Sequence, residues 1–121
     1  MRVVVLHGKD AFLRLERGRQ LESALQERFG GVDRMDLDGT GAALADVLDT
    51  LRTPGLFAGH KLLVLENAEA FMGAEDRRRA MERYAEHPCA EATLLMRCAG
   101  AWRPGNFDKL VAKVGAVIKC E

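Results

Sequence analysis

The sequence predicts an α/β domain with three layers: a five-stranded, mostly parallel sheet with helices on both faces. Three observations carry this. Short apolar runs alternate with longer stretches of helical periodicity. The runs Arg2–Leu6 and Lys61–Leu65 are nearly continuous in valine and leucine, as in strands buried on both faces. Glycine, proline or an aspartate cap stands at most of the joints. Strands alternating with helices imply right-handed crossovers, and hence parallel neighbours.

Arg2–Leu6 opens the chain as the first strand. Gly8 turns it, Asp10 caps the next helix, and that helix runs over Ala11–Phe29. Ala11, Leu15, Gly18, Leu21, Leu25 and Phe29 fall on one stripe, with Gly18 placed for close approach to the sheet. Gly30-Gly31 ends the helix. Val32–Leu37 alternates weakly and reads as an edge strand, and Asp38-Gly39-Thr40-Gly41 as a turn. Leu44, Val47, Leu48 and Leu51 keep helical spacing until Pro54 and Gly55 stop it. Lys61–Leu65 is the third strand. Glu75–His87 is a charged helix whose thin apolar side is Met81, Tyr84 and Ala85, ended by Pro88. Thr93–Arg97 is a strand, Asn106–Val114 a short helix closed by Gly115, and Ala116–Lys119 the fifth strand. The whole of 1–121 reads as a single domain. The last strand runs straight into Glu121, which predicts a piece of a longer protein.

Composition narrows the function. Hydrophobic residues are 48% and charged residues 30% of 121, enough for one core in a soluble, cytoplasmic protein. No apolar run approaches the roughly 20 residues of a membrane helix, and the start reads as a strand rather than a signal peptide. Formal net charge is zero, which makes nucleic acid a weak or indirect partner. Cys89, Cys98 and Cys120 lack metal-knuckle or redox spacing and read as reduced thiols. His7, His60 and His87 are scattered, so no metal is expected.

A phosphate site would lie at the first strand-to-helix turn. A phosphate-wrapping loop needs two glycines with four residues between them, then lysine and a hydroxyl residue. Leu6-His7-Gly8-Lys9-Asp10-Ala11-Phe12-Leu13 offers one glycine, and Asp10 stands where helix amides would meet an anion. No nucleotide cofactor is expected, although a nucleotide-binding, P-loop-like enzyme domain remains the alternative. Glu66 after Leu62–Leu65 is placed like a magnesium-orienting acid, but reads better as a strand-end residue bonded to a loop. Arg77-Arg78-Arg79 shares its helix with Glu75, Asp76, Glu82 and Glu86; the i, i+4 pairs Glu75–Arg79 and Arg78–Glu82 make it a solvated face. A contact to DNA or a neighbouring subunit is its other reading.

Thr53-Pro54-Gly55-Leu56-Phe57-Ala58-Gly59 sets two large apolar residues among turn formers. Buried, Leu56 and Phe57 only stabilise the fold; projecting, they form an anchor for a partner's pocket. Composition alone favours burial.

Four segments, in order and spacing, resemble the N-terminal domain of the delta subunit of the bacterial DNA polymerase III clamp loader. They are Leu6–Leu13, Leu51–Phe57, Lys61–Glu69 and Gly115–Ile118. The resemblance implies the AAA+ core without its phosphate-binding loop, and a subunit that does not hydrolyse ATP. It implies binding to the beta sliding clamp, opening of the ring during replication, and assembly with other clamp-loader subunits through helical domains beyond this segment. It carries the clamp-binding role onto Leu56 and Phe57, with Pro54 and Gly55 before them, and so reverses the expectation of burial. Some family members carry methionine at the position of Pro54.

Overall fold

The computed structural model describes residues 1–121. The elements are β1 (Val3–His7), α1 (Ala11–Phe29), β2 (Asp33–Asp38), α2 (Leu44–Arg52) and β3 (Lys61–Glu66). They continue with α3 (Ala68–Phe71), α4 (Glu75–Glu86), β4 (Ala92–Cys98), α5 (Asn106–Val114) and β5 (Gly115–Lys119). Every expected element is present within about two residues of its expected ends, and the sheet is parallel throughout rather than mostly so. The order across it is β2-β3-β4-β1-β5, with β2 at an edge as its weak pattern predicts. The α5 crossover carries the chain from β4 over β1 to β5.

Alternate residues of the central strands feed two cores. Val3, Val5, Leu63, Leu65, Leu94 and Met96 face the larger one and pack beneath α2, α3, α4 and α5. Val4, Leu6, Leu62, Val64 and Leu95 face the smaller one, covered by α1 alone. All of them are 2% exposed or less, so β1, β3 and the middle of β4 supply a large share of the buried apolar surface.

The buried line of α1 differs from the expected stripe. Gly18 and Leu25 are buried, Leu21 and Leu13 pack on the smaller core, and Ala11, Leu15 and Phe29 are exposed. Length supplies the reason for the two ends. Nineteen helical residues span about 28 Å, whereas strands of five to seven reach roughly 17–23 Å. Both ends of α1 overhang the sheet. Gly18 does lie against it, but a Cβ there would sit 3.6 Å from Leu95 Cδ2, an ordinary contact. The caps are as expected: the Asp10 carboxylate accepts from Leu13 N–H at 2.9 Å, and Gly30 ends α1 in left-handed geometry.

The one-turn helix α3 has no forecast in the sequence. Asn67, in the left-handed region at φ 51°, starts it. The arginine run also differs in part. Arg79 pairs with Glu75 at 2.6 Å, but Arg78 donates to the carbonyls of Met72 and Gly73 instead of meeting Glu82. Arg77 lies 5.0 Å over the Phe71 ring. These contacts tie α4 to the turn before it.

Candidate functional site

A parallel sheet has two unlike edges. Its carboxyl edge receives the turns after each strand, where ligands usually bind in such folds. Its amino edge receives the turns that enter each strand.

At the carboxyl edge, the β1–α1 turn is closed by the chain itself. Cys120 N–H donates to His7 O at 2.6 Å, and Asp10 N–H to Cys120 O at 3.0 Å. Gly8 has φ 128°, and a Cβ there would overlap the Cys120 backbone. The Arg14 guanidinium donates to Gly8 O. The amides an anion would need at Asp10 and Leu13 are therefore engaged, and a carboxylate stands among them. Lys9 is exposed.

The rest of this edge is also cross-linked. Asp38 Oδ1 accepts from Thr40 N–H at 2.9 Å, the Thr40 hydroxyl at 2.8 Å and Asn67 Nδ2 at 3.0 Å. These donors hold its carboxyl below the usual carboxylate range. Gly39 N–H donates to Glu66 O, joining the ends of β2 and β3. Glu66 also pairs with Arg97 at 3.2 Å, which makes it a strand-end residue bonded to its neighbours. Burial, reinforced by the charge of Glu69, pushes the Cys98 thiol up to about 12, so it stays protonated at neutral pH. All three cysteines are free; Cys98 and Cys120 are buried and Cys89 half-buried. A cleft of about 530 Å³ lies between α3–α4 and the segment before α5, lined by Glu69, Arg78, Trp102, Phe107 and Asp108. It does not reach Gly8, Lys9 or Asp10.

The amino edge is built differently. Between α2 and β3 the chain forms a tip. Leu56 is 89% exposed and Phe57 93%, contrary to the burial that composition favours. Nothing in apolar identity tells the direction in which a turn aims a side chain. Pro54 is exposed beside them, and Gly55 is half-buried.

The tip is nonetheless tied down. Asp33 Oδ2 accepts from Phe57 N–H at 3.2 Å and from Ala58 N–H at 3.0 Å. Asp33 N–H donates to His60 O at 2.9 Å, which binds the start of β2 to the tip's exit. His60 is 3% exposed, stacked on Phe29 with centroids 4.0 Å apart. Its Nε2 lies 2.8 Å from the Thr93 hydroxyl, which itself donates to Met1 O at 2.9 Å. His60 Nε2–H is therefore the donor, and Nδ1 is left without a partner. Burial holds the His60 pKa below its ordinary value, helped by the N-terminal amine and Arg28. Lys61 Nζ, at the root of β3, donates to Thr50 O and pins the last turn of α2.

Sequence reasoning finds the tip but misses its support. Asp33 lies 24 and 25 residues from the amides it holds, and reads locally as a polar residue of a weak strand. No short-range signal marks it.

No family model matches the chain, and no curated protein matches it. Solved structures do. The Bacillus subtilis DNA clamp loader delta protein superimposes with a TM-score of 0.71 at 15% identity, over 99% of this chain and 38% of that one. A DNA polymerase III gamma subunit-related protein from Thermotoga maritima gives 0.62 at 11% identity, over 99% of this chain and 41% of that one. The chain thus shares its α/β fold with part of each of these two proteins and spans about two fifths of the length of each.

Proposed function

We propose that this chain is the sliding-clamp-binding part of a bacterial replicative clamp loader, of the delta type, and that it performs no ATP hydrolysis of its own. Leu56 and Phe57 enter an apolar pocket of the ring-shaped clamp, with Pro54 and Gly55 shaping their approach. Further clamp-loader subunits are the other partners, and DNA is met only weakly. The observation that carries this reading is the tip. Two adjacent large apolar side chains stand about nine-tenths exposed on a hydrogen-bonded turn. Water gains nothing from such an arrangement, and a preorganised apolar anchor is what a partner pocket requires. The fold shared with clamp-loader proteins supports the identity of the partner.

Calorimetry with a purified bacterial sliding clamp tests it. The wild-type chain binds, and Leu56→Ala/Phe57→Ala loses about 30-fold or more in affinity, from about 2 kcal/mol or more at such an anchor. Equal affinity for the two proteins would refute the assignment. Measurable heat from ATP and magnesium would favour the nucleotide-binding alternative.

A further inference from the structure

We propose that Asp33 is a positioning residue for the tip: its carboxylate sets the direction in which Leu56 and Phe57 project, and thereby the affinity for the partner. This rests on the clamp-binding reading above, but its structural half can be tested without any partner.

A turn with two large exposed apolar side chains has no packing of its own to hold it. Leu56 and Phe57 have little buried surface of their own. Here two successive amides converge on one oxygen, Asp33 Oδ2. Bonds from amides to a carboxylate are stronger than those between neutral groups. The carboxylate is itself fixed, because Asp33 begins β2 in register with Lys61 and its own N–H is bonded to His60 O.

Gly55 is the second half of the device. Any Cβ at Gly55 would collide with Asp33 Oδ2 and approach Ala58 O to 3.1 Å. Its φ is not in the left-handed region, so what the position demands is space for the carboxylate rather than unusual backbone geometry. Asp33 and Gly55 therefore act as one unit. Removing either releases the same two amides, and ordering the tip at the moment of binding then weakens association.

The test uses the full chain and four variants: Asp33→Ala, Asp33→Asn, Gly55→Ala and the Asp33→Ala/Gly55→Ala double. Backbone ¹⁵N order parameters at Leu56, Phe57 and Ala58 report tip order without a partner. They are expected near 0.85 in the wild type and below about 0.6 in Asp33→Ala and Gly55→Ala. Asp33→Asn retains an acceptor oxygen and falls between. Clamp affinity should follow the same ranking, with a loss of about ten-fold in each single alanine variant. The double variant should lose little more than either single, because the two changes remove one interaction. A rigid tip in Asp33→Ala overturns the proposal. So does a loosened tip whose clamp affinity is unchanged while Leu56→Ala/Phe57→Ala abolishes binding. If Leu56→Ala/Phe57→Ala binds as wild type, the clamp reading fails, and the order parameters still decide whether Asp33 organises the tip.

Discussion

The two edges of one parallel sheet are put to opposite use. At the carboxyl edge, where α/β domains ordinarily hold ligands, the β1–α1 turn is bonded to Cys120, and the Asp10 carboxylate occupies the Leu13 amide. At the amino edge, ordinarily plain, an aspartate holds a turn so that two apolar side chains face water. The contrast teaches that a working surface is marked by apolar area left exposed on a turn whose backbone is satisfied. The turn after β1 engages its own amides, whereas the tip satisfies its backbone and leaves Leu56 and Phe57 unburied.

The largest expected effect breaks that contrast at the carboxyl edge. Gly8→Ala forces a side chain into positive φ and against the Cys120 backbone. It should destabilise the fold by about 3 kcal/mol or more, read as a fall in the urea midpoint. Leu56→Ala/Phe57→Ala is its counterpart, with a stability change within about 0.5 kcal/mol because almost no buried area is lost. Next is Asp10→Ala, which removes the α1 cap and should cost about 1 kcal/mol in the same assay. Between the edges, Gly18→Ala should stabilise by about 0.5–1 kcal/mol, since the helix gains and Leu95 leaves room for the methyl.

Acid should separate the edges further. His60 has a folded pKa below its ordinary value of 6.5. The unfolded chain therefore takes up that proton first. The contribution is full above pH 6.5 and is lost as pH falls below it, loosening the amino edge. Asp36 and Asp38 are also lowered, through the Arg34 guanidinium and the Thr40 and Asn67 donors respectively. Their stabilisation is present above the ordinary carboxylate pKa of 3.8 and is lost as pH falls through their folded values. Urea midpoints followed from pH 8 to about 3 should show the His60 loss first, and His60→Gln should remove that step alone.

Much of the architecture was legible because periodicity, caps and breakers are local. Asp10, Gly30, Pro54 and the strand runs each announce an element within a few residues. The order β2-β3-β4-β1-β5 was not legible, since hydrophobic runs do not say which strands are neighbours. The same holds for α1, whose exposed Phe29 is explained only by its overhang and its stack on His60. At the candidate site, Leu56 and Phe57 were visible as an oddity, but composition placed them inside. Only the resemblance turned them outward. Asp33 was beyond reach, because its role is a contact between distant segments.

The central claim, that the amino-edge tip is the working surface, is tested most directly by an amide hydrogen-exchange footprint of the chain with saturating sliding clamp. Protection should appear at 54–60 and the neighbouring start of β2, with 8–13 and 99–105 unchanged. Protection confined to the carboxyl-edge segments, with the tip exchanging as freely as in the unbound chain, would contradict it.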